Sequence, residues 1–210
     1  IHISSWDMEY KINGQPKANP ITIDMPLYPT MEEETVVVDI YNNGETLVDI
    51  DYQVQSVTIL GTEYEIVPEG KTNTTQNYVA LANSVSATNA SGENIYKGVI
   101  TNDITRFPFT IEVEHSAQVE PVTEGGLGNI IPGEGYLKVT VNWIGDNNEL
   151  DSEWGYLVGE YYATTNQPAI SILLSIDSYQ ADLKAGPIEE TLPTTAATRP
   201  YLPTGFTRVP

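Results

Sequence analysis

Glu114 and His115 stand side by side in this chain, and a carboxylate next to an imidazole is the smallest unit from which a hydrolase builds a general base. The pair lies at the end of a predicted strand with no nucleophile in a recognisable spacing, so the sequence places His115 as an exposed surface histidine. The other histidine, His2, falls in the N-terminal segment. With two histidines and no His-Glu-x-x-His, the chain lacks the ligand set of a zinc protease. With no cysteine it also lacks disulfides, thiolate metal sites and thiol nucleophiles. Asp49 and Asp51 alternate along a strand and share its wet face, where they serve solubility better than paired-carboxylate catalysis.

Two further chemistries can be read from residue type. Asp146, Asn148 and Asp151 offer hard oxygen atoms in one loop, which makes calcium the one metal the sequence invites, although Leu150 occupies a ligand position and the EF-hand glycine is missing. The competing reading is a plain loop that caps a helix. Lys138, on a strong strand, is the lysine to inspect for an isopeptide bond to Asn, against the simpler role of a solvent-facing strand lysine. The glycine-rich run 124–129 has no Lys-Ser/Thr after it and reads as a loop, not a phosphate cradle. No catalytic residue is assigned, and the expectation is a protein that is not an enzyme and has no cofactor beyond that calcium candidate.

The elements that carry these residues are strands. Residues 34–55 read as a β-hairpin: Val36, Val38 and Ile40 alternate with polar neighbours, Asn42-Asn43-Gly44 turns, and Val48, Ile50, Tyr52 and Val54 alternate again. Further strands are expected at Ile21 to Met25, at Phe107 to Glu114 with Phe107, Phe109, Ile111 and Val113 inward, at Tyr136 to Trp143, and at Ala169 to Ile176. Residues 72–94 are rich in Asn, Ser, Thr and Ala and read as long loops around one short element near Tyr78. They include the acceptor-like triplets at Asn73 and Asn89. Trp154, Leu157, Val158 and Tyr161 give the one helical spacing, with Asp151 or Ser152 as N-cap and Pro168 beyond its end.

The expected fold is all-β, a jelly-roll or immunoglobulin-like β-sandwich with one short helix before the last core strand. Residues 1–14 form an N-terminal strand, 15–185 the sandwich, and 186–210 a proline-rich extended tail or linker. A formal net charge of -20, from 29 acids against 9 bases, disfavours nucleic acid and anionic membranes as partners, because each phosphate contact needs a Lys or Arg. No apolar run is long enough to span a bilayer. The uncharged polar composition suits a secreted or cell-surface protein, and a chain starting at Ile1 fits either removal of a signal peptide or a numbering that begins inside a longer chain.

Residues 149–176, a short helix followed by a terminal strand, together with the strand, Asn-Gly turn and strand of residues 36–54, resemble surface proteins of the TasA/camelysin group. The resemblance implies a secreted bacterial or archaeal subunit with a jelly-roll-like sandwich, processed by a signal peptidase and assembled into extracellular fibres of a biofilm matrix. An N-terminal segment of one such subunit completes the sheet of its neighbour. The candidate donor residues here are Ile1, Ile3, Trp6, Met8, Tyr10 and Ile12, which share one apolar face if Ser4-Ser5 forms a bulge. The expected function is therefore a structural filament subunit whose partners are copies of itself. The alternative is a cell-surface binding module or adhesin, for example for carbohydrate, on a proline-rich stalk.

Overall fold

The computed structural model describes residues 8–66, 78–81, 85–101, 107–128, 130–131 and 135–181. In chain order the strands are β1 (Met8–Ile12), β2 (Gln15–Lys17), β3 (Ile21–Met25), β4 (Glu34–Asn42), β5 (Val48–Ile59), β6 (Thr62–Ile66), β7 (Tyr78–Leu81), β8 (Val85–Thr88), β9 (Asn94–Thr101), β10 (Thr110–Ser116), β11 (Gln118–Val119), β12 (Thr123–Glu124), β13 (Ile130–Ile131), β14 (Gly135–Asn142) and β15 (Ile170–Gln180). One helix, α1 (Asn148–Thr164), precedes β15.

The strands make an all-β sandwich. One sheet runs β2-β1-β4-β14-β10-β9, with β7 and β8 both pairing to β9. The other runs β3-β15-β5-β6, with β11 also on β5. Along one side, β6 and β7 pair in parallel and carry the ladder from one sheet to the other. On the opposite side the edges are β2 and β3. Between the sheets the alternating residues Val38, Ile40, Ile111, Val113, Leu137, Val139 and Val141 meet Ile50, Tyr52, Val57, Ile172 and Leu174, all buried. Period-two alternation with one dry face is what a two-layer core demands of every strand.

The expected hairpin at residues 34–55 does not form. β4 pairs with β1 and β14 in one sheet, while β5 pairs with β15, β6 and β11 in the other. Residues 43–47 are an arch that crosses the core. Alternation could not separate the two cases, because strands in facing sheets each have one dry face just as paired strands do. Asn42 builds the corner: fully buried, it donates from Nδ2 to the carbonyls of Thr46 (2.7 Å) and Val119 (3.1 Å) and accepts from Gly44 N–H (2.9 Å). The true Asn-Gly hairpin is β1–β2, where Asn13 and Gly14 take φ of 50° and 78°, the primed geometry a two-residue loop needs. β5–β6 turns the same way at Leu60-Gly61, with φ of 49° and 81°.

Other expectations change as well. Residues 94–101, most of which lie beyond the stretch expected as loops and carried no strand expectation, are the strand β9, whose inward positions include the buried Gly98, which erases the apolar alternation. The segment around Tyr78 contributes β7, and β8 is a second strand there. The helix begins a turn earlier than expected, with Asn147 as N-cap, its Oδ1 accepting from Leu150 N–H at 3.0 Å. Trp154 and Val158 are buried, but Leu157 is on the exposed side. Trp154 seats α1 on the end of the sandwich, edge-on to Phe107 and Phe109. β15 ends beyond its expected limit, at Gln180, and where its partner β3 stops the Asn19 side chain takes over the ladder, bonding both N–H and C=O of Ile176.

Candidate functional site

β10 carries Glu114 and His115 on opposite faces, because successive strand residues point to opposite sides of the sheet. His115 points into the sandwich and is 2% exposed, which corrects its expected place on the surface. The error came from the facing strand: Tyr52 on β5 meets the imidazole edge-on at 5.4 Å, and Tyr96 on β9 stacks on it at 5.5 Å. Nδ1 lies 3.0 Å from the Ser116 carbonyl, which can only accept, so Nδ1 carries the hydrogen. Nε2 has no hydrogen-bond partner; the nearest acid, Asp51 Oδ1, is 3.9 Å away. Burial lowers the imidazole pKa to about 4, against smaller upward pulls from the Ser116 hydrogen bond and the Glu114 charge. A neutral, enclosed imidazole of this kind has no route to a substrate and acts as a core aromatic.

Glu114 lies on the outer face and is nonetheless 7% exposed. It sits in register between Lys97 on β9 and Lys138 on β14, each with Nζ 3.8 Å from one of its oxygens. Tyr136 donates its hydroxyl to Glu114 Oε2, and its pKa is pushed up to about 12, first by burial and then by that hydrogen bond, against a smaller downward effect of Asn89. Ser116 ties the same strands together, accepting from Tyr136 N–H at 3.0 Å. The sequence hid this cluster because finding it requires β9, whose Lys97 completes the row. Lys138 is thus an ion-paired strand lysine, and the acid beside it is a glutamate. Asn89, of the second acceptor-like triplet, closes the β8–β9 turn, its Oδ1 accepting from Ser91 and Glu93 N–H and its Nδ2 donating to Glu93; Asn73 lies outside the described residues.

The calcium candidates are divided by the helix cap. Asp151 accepts from Trp143 Nε1 at 2.8 Å through Oδ1 and from Asn147 N–H at 3.1 Å through Oδ2, while Asp146 and Asn148 are exposed. Among the described residues no three His, Asp or Glu side chains converge as a metal site. Asp49 receives a hydrogen bond from Gln118 Nε2 at 3.1 Å on the outer face of the second sheet.

Of the candidate donor residues, Met8 and Tyr10 are buried within their own chain and Ile12 is partly buried; Ile1, Ile3 and Trp6, with His2, lie outside the described residues. β1 is inserted between β4 and the three-residue β2, with Met8 opposite Asn42 and Tyr10 opposite Ile40. Burial raises the Tyr10 pKa, against smaller downward effects of Ser178 on β15 and of Asn19 in the β2–β3 connection. The segment expected as a separate N-terminal strand is therefore part of the sandwich from Met8 onward. The tail expected at 186–210 lies outside the described residues.

Among the described residues no helix is long and apolar enough to cross a membrane. No protein-family model, curated protein or solved structure matches the chain.

Proposed function

We propose that this chain is a structural subunit of an extracellular filament or matrix, and that subunits join by strand addition through β1. The observation that supports it is the position of that strand. β1 precedes every other described strand, has a full-length partner on one side only, and fills the interior with Met8 and Tyr10. A strand so placed makes the same ladder bonds and fills the same pockets whether it comes from its own chain or from a neighbour, so exchange costs little enthalpy and links subunits in series. Ile1, Ile3 and Trp6 extend its apolar series beyond Met8. The described polar clusters support a structural role too, since Asn42, Asp151 and Glu114 each hold two segments of the chain together.

The absence of natural cysteine gives a direct test. Glu9 and Tyr41 are directly opposed on β1 and β4, and opposed antiparallel residues have Cα atoms about 4.5–5.5 Å apart, within disulfide reach. Chains carrying Glu9→Cys are mixed with chains carrying Tyr41→Cys, assembled, and oxidised. Strand exchange predicts a disulfide-linked heterodimer in the assembled fraction. Filaments that contain no such heterodimer, or a mixture that stays monomeric under every assembly condition, overturn the reading.

A further inference from the structure

Five of the eight large apolar side chains left exposed among the described residues belong to α1 or its flanking segments: Tyr156, Leu157 and Tyr162 stand on α1, and Tyr28 and Ile144 on the segments beside it, whereas Val37, Tyr96 and Leu127 lie elsewhere. Tyr156 is 67% exposed and Tyr162 42%. They lie three residues to either side of Gly159, so all three occupy neighbouring positions on the helix surface. Gly159 is unusual for a helix interior, which disfavours glycine more than any residue except proline. Gly155, one turn earlier, has a reason within the chain, since a Cβ there would meet Pro29 Cγ at 3.3 Å. A Cβ at Gly159 would meet nothing within 4 Å. The helix thus gives up stability to keep a shallow floor between two tyrosines, with no intramolecular contact to account for it.

The charges that α1 itself carries have one sign. Glu149, Glu153 and Glu160 are exposed on it, and the helix carries no Lys or Arg. In a chain of 29 acids and 9 bases, residues 191–210 are the reverse: they contain Arg199 and Arg208, four prolines, Tyr201 and Phe206, and no acid. Proline-rich segments dock on tyrosine-lined grooves, and arginine stacks on tyrosine while pairing with carboxylate. The direction of the chain bears on whose helix is met. α1 sits where β15 begins, and that strand ends at Gln180, the far end of the sandwich; the choice of a second copy rests on the proposed filament, in whose head-to-tail row that end faces the α1 end of the following copy.

We infer that the exposed face of α1 around Tyr156, Gly159 and Tyr162 is a docking surface for residues 191–210 of a second copy of this chain. The contact is separate from strand exchange. The two fail separately if the test uses full-length chains whose β1 is locked by a Glu9→Cys/Tyr41→Cys disulfide.

The photo-crosslinking amino acid p-benzoylphenylalanine replaces Tyr201 in such locked chains, and equal amounts of isotopically light and heavy protein are mixed, irradiated and mapped by mass spectrometry. The expected result is adducts on residues 148–164 that join light to heavy chains. Glu153→Lys/Glu160→Lys should lower their yield about fivefold, as the loss of two surface ion pairs would. Gly159→Ala should raise the unfolding midpoint of the protein and still lower the yield, which no loss of folding can mimic. Adducts confined to chains of one isotope overturn the second copy as the source. Adducts elsewhere, no adducts, or a yield indifferent to Gly159→Ala and to the charge reversals overturn the docking surface itself.

Discussion

The imidazole Nε2 of His115 and the carboxylate Oδ1 of Asp51 stop 3.9 Å apart, too far for a hydrogen bond, with Tyr52 and Tyr96 enclosing the histidine. An acid that near, without contact, does not offset the cost of charging an imidazole that is 2% exposed.

That geometry makes stability depend on pH in a known direction. The unfolded histidine titrates near 6.5 and the folded one at about 4. Above pH 6.5 both states are neutral and the full stability is present; as pH falls from 6.5 toward 4 the unfolded chain takes up a proton that the folded chain refuses. The slope is about 1.4 kcal/mol per pH unit, or roughly 3 kcal/mol over the window. Urea midpoints of the parent and His115→Gln, measured at pH 7.5 and 4.5, should show a smaller acid loss in the variant. Parallel losses would mean that His115 is already charged in the folded protein.

Tyr136 responds at the other end of the scale. Its phenol is raised to about 12, by burial first and the Glu114 hydrogen bond second, so its contribution is complete below pH 10 and disappears as pH climbs toward 12. Glu114→Gln removes the charge while keeping an acceptor. Spectrophotometric titration should then show one tyrosine ionising at lower pH than in the parent, and the variant should lose stability, since Lys97 and Lys138 are left without their shared partner. An unchanged titration curve would show that burial alone sets this phenol.

Asn42→Ala should be the most damaging single change at the arch. It leaves the buried Val119 carbonyl and the partly buried Thr46 carbonyl and Gly44 N–H without their partner, at a cost of about 3 kcal/mol in urea unfolding. Asn43→Ala, one residue on, should stay within about 0.5 kcal/mol, the range of ordinary surface substitutions. Equal effects at both positions would deny Asn42 its role as the corner.

Much of this fold is legible in the residues alone, and what is not has identifiable causes. The inward sets of β3, β14 and β15, and Ile111 and Val113 of β10, follow from alternation. Pairing does not follow. Nothing in the alternation of β4 and β5 says that their dry faces oppose each other across the core, and the Asn42-Asn43-Gly44 turn signal marked an arch whose key residue is a buried amide. β9 was hidden by Gly98, and Leu60 gave no turn signal because leucine seldom takes positive φ. His115 was misplaced for a related reason: burial of a polar residue depends on what the facing sheet presents, here Tyr52, which is distant in sequence.

The place of β15 in the second sheet bears on how the molecule comes into being. β15 is hydrogen-bonded to β3 on one side and β5 on the other, so these two early strands have no direct contact through the ladder and depend on a strand that is synthesised after nearly all the rest. During translation Ile21, Ile23, Val54 and Val57 emerge long before the surface that shelters them. The second sheet therefore cannot close until Gln180 has left the ribosome, with the slow, non-local closure that such topologies impose.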